Sequence, residues 1–260
     1  MALAQFAREY RTIRRAEGWG SPNGAYYRAL PYRDLTGRFP AIWRIRAHSY
    51  RTFLHRVVEP LEQQVSGPLR ILDVGAGSGW LAYRLALRGH NTVATDILDD
   101  RLDGLGARKH FDARFAAMLA DYDHLPLVSE QLDLVVFNAS LHYSVDYAAT
   151  LRESLRALRR RGTLVILDSP TYVDPTSGAR MVQERQQRFL GAYGFPSTAL
   201  SSEHFLTRAR LRTLAVELGL EWQVHTPDLD VRSALSRVIG GLRARREPAS
   251  FPVIVGRLCT

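Results

Sequence analysis

The chain has 260 residues, of which 46% are hydrophobic and 23% are charged. This length and composition predict one large globular domain, or one domain with a small cap, and argue against general disorder. A single cysteine, Cys259, excludes an internal disulfide and a cysteine-rich zinc site. The net charge of +9 comes from arginines spread along the chain, since Lys109 is the one lysine. We interpret this charge as a solvated basic surface and expect no nucleic-acid partner.

The sequence also shows none of the patterns that are typical of membrane spans or targeting signals. No apolar run approaches about 18 residues, so we predict no membrane span. The first residues lack the basic and then apolar order of a secretory signal, and Glu9 and Glu17 argue against a transit peptide. We therefore expect a cytoplasmic protein that begins with a folded helix. His48 and His55 have no Cys or acid at ligand spacing, and no metal site is predicted.

Residues 1–66 come before the first predicted strand, and they are helical in pattern and rich in aromatics. A core-facing stripe is predicted at Ile42, Ile45, Tyr50, Phe53, Val57 and Leu61. From residue 69 onwards, short apolar runs alternate with helical patterns, which is typical of a mainly parallel α/β sheet. Strands are predicted at 69–74, 91–97, 115–120, 132–138, 162–168, 220–225 and 251–258. Helices are predicted at 78–88, 100–109, 147–159, 207–218 and 231–246.

Two segments interrupt this alternation, residues 169–206 and residues 226–250. If the last strand runs antiparallel, both segments leave the carboxyl ends of parallel strands. Ligands bind at that edge in open α/β sheets. We therefore predict that the two insertions are lids that form walls of a substrate site.

The strongest motif is the sequence DVGAGSG at residues 73–79, between a strand and a helix. Gly75, Gly77 and Gly79 permit a tight turn and let a ligand lie against the backbone. The start of the helix offers free N–H groups to an anionic group such as a carboxylate. Dinucleotide sites space their glycines as G-x-G-x-x-G instead. Asp73, two residues before the first glycine, suits a ligand with a positive amine rather than a pyrophosphate.

A second acid, Asp96, ends the second strand nineteen residues after Gly77. A carboxylate at that place accepts both hydroxyls of a ribose. S-adenosylmethionine is a ligand with both an amino-acid head and a ribose. Local alternatives stay open, since Asp73 would also serve as a cap and Asp96 as a loop acid before Asp99 and Asp100.

With these residues, the sequence resembles the class I S-adenosylmethionine-dependent methyltransferases over about residues 69–167. Residues 121–127 (DYDHLPL) look like that family's acidic turn ending in Leu-Pro, and residues 132–138 (LDLVVFN) look like its fourth strand. Residues 157–164 (ALRRRGTL) resemble its Leu-(Lys/Arg)-Pro-Gly-Gly turn, although Arg160 and Arg161 replace the proline and the first glycine. The resemblance implies a doubly wound, Rossmann-like α/β fold with seven mostly parallel strands, the last antiparallel. A helical cap or lid would cover residues 1–66, and the cofactor domain residues 67–260.

The resemblance also implies S-adenosyl-L-methionine as the cofactor. The residues that would hold it are Asp73, Gly75, Ala76, Gly77, Gly79, Trp80, Asp96, Ile97, Asp121, Tyr122 and Asn138. Tyr26 is predicted to join them from the N-terminal segment. Arg46 and Tyr50 are one helical turn apart and are predicted to face the carboxylate of the cofactor.

Residues 138–143 (NASLHY) follow the fourth strand and form the floor of the methyl-transfer site in the resembled family. His142 is a candidate general base, because the pKa of an imidazole suits proton removal near neutrality. The alternative is that His142 only packs beneath the cofactor. Tyr143 is a second candidate for contact with the acceptor.

Residues 21–34 (SPNGAYYRALPYRD) are punctuated by Gly, Pro and Asn, which predicts a loop. Tyr27 and Tyr32 on this loop are predicted to contact the acceptor, and residues 1–40 are predicted to form a mobile lid. The alternative is a cap that is permanently packed on the domain.

These features predict an enzyme that transfers a methyl group from S-adenosylmethionine to a small-molecule acceptor. Three other functions stay open: methylation of RNA or protein, non-catalytic binding of the cofactor, and NAD-dependent oxidoreduction. The glycine spacing and Asp73 disfavour the last of these. The identity of the acceptor, the choice among O-, N- and C-methylation, and the oligomeric state are not decided by the sequence.

Overall fold

A computed structural model describes residues 2–197, 200–227 and 246–259. Its centre is a seven-stranded sheet in the order β3-β2-β1-β4-β5-β9-β8. The strands are β1 (Arg70–Val74), β2 (Asn91–Asp96), β3 (Ala116–Leu119), β4 (Leu132–Asn138), β5 (Leu158–Leu167), β8 (Leu220–His225) and β9 (Val253–Leu258). A second, two-stranded sheet pairs β6 (Thr171–Tyr172) with β7 (Leu206–Thr207). The predicted fold class, α/β with seven strands, is confirmed.

Helices cover both faces of the large sheet. They are α1 (Ala2–Glu17), α2 (Gly24–Ala29), α3 (Pro40–Phe53), α4 (Glu59–Gln64), α5 (Trp80–Leu87), α6 (Tyr147–Ala157), α7 (Pro175–Tyr193) and α8 (Arg208–Leu218). A π-helical turn, Leu54–Val58, joins α3 to α4, and two 3₁₀ helices lie at Leu105–His110 and Leu141–Tyr143. All seven residues of β4 are buried, because this central strand is covered on both faces.

The two faces of the sheet carry separate hydrophobic cores. On β4, Leu134 and Val136 contact the core that includes α3, α5 and the N-terminal aromatics. Val135 and Phe137 point the other way, into the core shared with α6 and α8. This alternation follows from the two-residue period of a strand.

The N-terminal segment shares the first of these cores. Tyr26, Tyr27 and Trp43 are buried in one cluster with residues of the sheet. The prediction of a loop with exposed tyrosines at 21–34 is therefore wrong for α2, where Asn23 caps the helix by accepting a hydrogen bond from the Ala25 N–H. The stripe on α3 holds except at Ile42, which is 39% exposed.

The helix predicted at 100–109 is also wrong. The chain makes turns there and then the 3₁₀ helix Leu105–His110. The Asp100 carboxylate accepts hydrogen bonds from the Leu102 and Asp103 N–H groups, which fixes a turn. Gly104 then passes so close to Asp100 that a Cβ there would lie 2.5 Å from its backbone nitrogen.

The antiparallel last strand is confirmed, since β9 runs against both β5 and β8. Because β9 lies between them, β5 and β8 point in the same direction, and the chain leaves both strands at the carboxyl edge of the sheet. The first insertion, predicted at 169–206, contains β6 and α7. The helix predicted at 231–246 lies outside the described residues, apart from Arg246.

Candidate functional site

The glycine-rich turn after β1 has left-handed backbone at its three glycines, with φ of +67° at Gly75, +54° at Gly77 and +80° at Gly79. Each of the three therefore favours glycine. Gly75 also lies close to the segment that follows β4, because a Cβ at Gly75 would be 2.4 Å from the Cβ of Ser140. Gly77 differs, since a Cβ there would meet nothing within 4 Å. Gly77 thus faces open space above the turn.

Asp96, the last residue of β2, is held by the backbone around it. Its Oδ2 accepts a hydrogen bond from the Gly77 N–H at 2.8 Å, and its Oδ1 accepts one from the Leu98 N–H at 2.9 Å. Burial raises the pKa of this carboxyl to about 6, against the hydrogen bonds that lower it. The carboxylate is therefore fixed at the rim of the turn, with lone pairs left for further donors.

Asp73 and Asn138 carry buried oxygens without a partner in the described part of the chain. Asp73 is fully buried; its Oδ2 accepts a hydrogen bond from the Ala82 N–H at 3.2 Å, and its Oδ1 has no partner. Burial raises the pKa of Asp73 to about 7. Asn138 Oδ1 is likewise unpartnered. Unsatisfied buried oxygens at the end of β1 and β4 fit a site for a ligand that supplies donors.

A crevice runs along the turn and has two connected parts. The first part is lined by Asp96, Ile97, Leu98, Asp121, Tyr122 and Tyr143. The second part is lined by Tyr26, Tyr27, Trp43, Arg46, Ala76, Trp80 and Asn138. Both parts are bordered by Tyr10, Arg14, Gly75, Gly77, Asp103 and Ala139.

Most of the predicted cofactor residues thus line one crevice, although the sequence places them up to 112 positions apart, from Tyr26 to Asn138. Asp73 and Gly79 do not line it. Asp73 lies behind the turn, and Gly79 begins α5 against Phe115, whose ring would be 2.8 Å from an added Cβ. Both residues shape the turn from beneath.

Arg46 on α3 is the unpaired cation of the second part. It forms no hydrogen bond or salt bridge with the described residues, and its guanidinium packs 4.7 Å from the ring centre of Trp43. Burial lowers its pKa, while the carboxyl of Asp168 acts in the opposite direction. A partly buried arginine without a hydrogen-bond partner among the described residues is free to receive an anionic group. Tyr50, predicted beside it, instead packs edge-on against Trp80, 5.7 Å between ring centres.

Helix α1, which belongs to the lid predicted at residues 1–40, borders the crevice through side chains that were not among the predicted site residues. Phe6, Tyr10 and Arg14 line the crevice from one face of the helix. Arg14 forms an ion pair with Asp103, and its guanidinium also lies 3.6 Å from the ring centre of Trp19. The signal was the spacing of these three side chains at i, i+4 and i+8.

The candidate general base is placed unfavourably for that role. His142 is 6% exposed, and its Nδ1 lies 3.4 Å from the hydroxyl of Ser169. Burial and the neighbouring charge of Arg185 lower the pKa of His142 to about 3. An imidazole with so low a pKa is neutral and weakly basic, so the structure does not support His142 as a general base.

The predicted acceptor tyrosines separate into three environments. Tyr143 lines the crevice, and its ring packs at a tilt against that of His142, with 4.3 Å between the ring centres. Tyr27 borders the second part, but its hydroxyl donates a hydrogen bond to the Leu102 carbonyl at 2.7 Å and is not free. Tyr32 is half-exposed beneath the guanidinium of Arg84 and lies outside the crevice. The prediction for Tyr32 is therefore not supported by its position.

The described ranges hold neither a metal site nor a membrane-spanning helix. No group of His, Cys, Asp and Glu side chains there is arranged to hold a metal ion. Among the described helices, none combines the length and the apolar character needed to cross a membrane.

Comparison with known proteins agrees with this geometry. Residues 72–166 match the family described as a methyltransferase domain. The chain is 29% identical over 144 residues to a malonyl-[acyl-carrier protein] O-methyltransferase of Gallionella capsiferriformans, covering 52% of this chain and 47% of that protein. It is 31% identical over 122 residues to a demethylmenaquinone methyltransferase of Clavibacter sepedonicus, covering 47% and 48%. The chain thus spans about half the length of these curated relatives.

Solved structures share the fold. The crystal structure of an S-adenosylmethionine-dependent methyltransferase from Mesorhizobium loti has a TM-score of 0.54 at 20% identity, covering 76% of this chain and 96% of that one. The matched residues 72–166 contain the glycine turn, Asp96 and all of β4.

The fold is a doubly wound α/β sheet, and the crevice lies at the carboxyl edge of its parallel strands, where open sheets of this kind bind ligands. Residues 72–166 thus match a methyltransferase domain, consistent with a class I S-adenosylmethionine-dependent methyltransferase, and S-adenosylmethionine is the cofactor that this matched domain indicates. The residues fit that cofactor, since the crevice combines open space at Gly77, a fixed carboxylate at Asp96 and an unpaired cation at Arg46.

Proposed function

We propose that the whole chain catalyses methyl transfer from S-adenosylmethionine to a small-molecule acceptor. The observation that carries the proposal is the crevice itself, which brings the open backbone of Gly77, the Asp96 carboxylate and the Arg46 guanidinium to one edge of the sheet. These are the groups needed for a ligand with a ribose at one end and an amino-acid carboxylate at the other.

In this proposal each end of the cofactor meets its own set of residues. Asp96 accepts hydrogen bonds from the ribose hydroxyls, and the first part of the crevice, with Ile97, Asp121 and Tyr122, surrounds the adenine. The second part holds the amino-acid end. There Arg46 meets the carboxylate, while the unpartnered oxygen of Asn138 is an acceptor for the amine.

Asp73 stays a predicted contact for the amine of the cofactor, but its position also allows it to act on the amine electrostatically, without direct contact. It lies behind the turn, where its free Oδ1 is fully buried. A positive amine in the second part of the crevice would favour the ionised form of this carboxyl and lower its pKa. We therefore assign Asp73 to electrostatic support of the amine rather than to lining of the crevice.

Catalysis in this site relies on positioning. Bound S-adenosylmethionine supplies a methyl group already activated by its sulfonium, so that the protein has little bond activation to perform. Helix α1 excludes water from above the crevice, and Tyr143 and Ala139 form the floor near the end of β4. Holding an acceptor in line and keeping water out are sufficient sources of rate enhancement for such a displacement.

The lid proposed for residues 1–40 is accordingly redefined as α1. Its residues Phe6, Tyr10 and Arg14 cover the crevice, whereas Tyr26 and Tyr27 of α2 are packed in the core. We infer that α1 opens to admit the cofactor and that α2 and α3 stay as a fixed cap.

A cytoplasmic location of the protein also remains a prediction.

Support for a small-molecule acceptor comes from the crevice and from the relatives. The matched relatives are named for malonyl-[acyl-carrier protein] and for demethylmenaquinone. The arginines that raise the net charge are paired in part on the surface, as for Arg152 with Glu217. An RNA or protein acceptor has no comparable support.

Calorimetry with S-adenosylhomocysteine and with NAD tests the cofactor assignment directly. We expect one molecule of S-adenosylhomocysteine to bind per chain, and NAD not to bind at the same concentrations. A methyl-transfer assay with labelled cofactor and pools of small molecules then tests catalysis. Binding without turnover on any pool would favour a non-catalytic module, and absence of binding would contradict the proposal.

A further inference from the structure

A polar cluster combines Arg185 of α7 with side chains from the segments that follow β4, β5 and α7, and its two histidines contact the ring of Tyr143. We call it the Arg185 cluster, and it consists of His142, Ser169, Arg185, Ser197 and His204. The two histidines and the two serines are at most 8% exposed. Arg185 donates from Nε to the hydroxyl of Ser197 at 3.2 Å. Such a concentration of buried polar groups beside a ligand crevice indicates more than packing.

The cluster is continuous with the methyl-transfer region. The ring of Tyr143 lies 4.3 Å from that of His142 and 6.4 Å from that of His204, centre to centre. Tyr143 itself lines the first part of the crevice. The cluster therefore borders the crevice at Tyr143.

The backbone around the cluster is held in strained conformations. Left-handed φ values occur at Ala139 (+56°), Asp168 (+52°) and His204 (+67°). Ala139 borders the crevice, Asp168 precedes Ser169, and His204 belongs to the cluster. Backbone strain of this kind concentrates at functional sites.

The cluster carries one positive charge that the protein leaves unbalanced. Arg185 Nη2 is buried and has no hydrogen-bond partner within the described ranges. Burial, and after it the charge of Arg185, lowers the pKa of His142 to about 3 and of His204 to about 4, so both imidazoles are neutral at physiological pH. A partly buried guanidinium with one buried, unpartnered N–H group and neutral polar neighbours is matched by one anionic group from outside the chain.

We propose that Arg185 binds a carboxylate of the acceptor beside the methyl-transfer position, and that this carboxylate is methylated to an ester. The inference rests on the proposed function. The cluster offers two hydroxyls and two imidazoles to orient the group, and Arg185 supplies the charge that selects it. The guanidinium geometry suits a planar carboxylate.

The chemistry agrees with the absence of a strong base in the cluster. A carboxylate oxygen forms a bond to the methyl carbon, the bond from that carbon to sulfur breaks, and its electron pair stays on sulfur. No proton moves in this step, so neither His142 nor His204 has to accept one. A hydroxyl acceptor would need a base at this point.

The test uses the full chain, labelled S-adenosylmethionine and four carboxylates: malonate, succinate, octanoate and benzoate. We expect at least one of them to yield a product that releases labelled methanol in alkali, as methyl esters do. Calorimetry on the protein saturated with S-adenosylhomocysteine gives a second readout, in which the same carboxylate binds. The proposal is overturned if none of the four binds or is methylated, or if methylated products are stable in alkali.

Arg185→Gln and Arg188→Gln form a matched pair on α7. Arg188 is exposed and lies one turn away, so its replacement controls for the loss of one positive charge from the helix. We expect R185Q to weaken carboxylate binding at least tenfold and R188Q to leave it unchanged, with equal affinity of both for S-adenosylhomocysteine. Equal carboxylate binding by the two variants would contradict the proposal. Failure of the proposed function looks different, because the unmodified protein would then either not bind S-adenosylhomocysteine or bind it and methylate no member of any acceptor pool, carboxylate or not.

Discussion

The two sides of the crevice are built in different ways. On the sheet side, Asp96 and Gly77 are neighbours through one hydrogen bond to the backbone, and glycine conformation shapes the turn. On the helical side, Arg14 reaches Asp103, 89 positions along the chain, and Arg46 rests on an aromatic ring. The sheet side is therefore fixed by local backbone geometry, and the helical side by side-chain contacts between distant segments. We expect the sheet side to control whether the cofactor binds, and the helical side to control how its tail and cover are arranged.

The largest effect is expected for Gly77→Ala. A methyl group would occupy the open space above the turn, where the cofactor lies in our proposal. The affinity for S-adenosylhomocysteine should fall by at least about a hundredfold, since overlap with a ligand is not relieved by small shifts. Calorimetry measures the affinity.

Gly89→Ala is the matched control, because Gly89 also has positive φ (+90°) and open space around an added Cβ. Both variants should lose about 1 kcal/mol of stability from backbone strain. Normal binding by G77A would show that the turn is not the cofactor cradle.

Next in size is Asp96→Ala on the sheet side. The change removes the acceptor for the ribose hydroxyls, and hydrogen bonds to a charged group contribute about 1.5–3 kcal/mol each. Affinity for S-adenosylhomocysteine should therefore fall at least about tenfold. Asp99→Ala provides the control, because the Asp99 side chain is 70% exposed. Equal affinity in D96A and D99A would remove the ribose assignment.

On the helical side, Arg46→Gln should lower the affinity for S-adenosylhomocysteine by about tenfold, since one charge-assisted contact to the carboxylate of this ligand is lost. The affinity for 5′-methylthioadenosine, which lacks the amino-acid tail, should not change. Arg44→Gln on the same helix controls for the lost charge. An equal loss of affinity for both ligands would show that Arg46 does not contact the amino-acid tail. It would also contradict the division of roles between the two sides of the crevice.

The pH dependence of binding should be smaller and should come from the sheet side. The pKa of Asp96 is raised to about 6, so below about pH 6 the free protein carries a neutral carboxyl there. Ribose hydroxyls prefer the ionised acceptor, and binding therefore weakens as pH falls through 6. Asp96→Asn should remove this decrease, and what remains would reflect Asp73, whose pKa is about 7. Calorimetry with S-adenosylhomocysteine between pH 5 and pH 8 measures both contributions to the pH dependence of binding. The same pH profile in D96N and in the unmodified protein would contradict the assignment of Asp96 to the ribose.

The smallest expected signal concerns motion. Amides of α1 should exchange with solvent more slowly when S-adenosylhomocysteine is bound, because Phe6 and Tyr10 then contact the ligand. Amides of Tyr26 and Tyr27, which are buried in the core, should be equally protected with and without ligand. Protection of α1 that does not depend on ligand would indicate a rigid cover.

The same contrast explains what the sequence could predict. Gly75, Gly77 and Asp96 were predicted because strand, turn and acid follow each other at short spacing, and the structure places them together. Nothing local indicated that Arg14 pairs with Asp103. The burial of Tyr27, on a stretch rich in Gly and Pro, likewise depends on the Leu102 carbonyl 75 residues away.

The fold itself was predicted closely at its strands, with errors where side-chain contacts overrode local preference. Strand β4 was placed without error, since a long apolar run between turns is buried on both faces. The helix at 100–109 failed because two glycines and the Asp100 turn prevent a regular helix. The low basicity of His142 could not be predicted, because it arises from burial and from Arg185 on a distant helix.

Strand β9 has a consequence for how such a protein can change over generations. By running against its neighbours, it brings the exits of β5 and β8 to the same rim as the glycine turn. The segments that follow β5 and β8 can therefore be lengthened, exchanged or recombined without disturbing the pairing of the parallel strands. Under the proposed function, one inherited sheet can then serve many acceptors, because the cofactor is held at the strands and the acceptor is chosen by the segments at the rim.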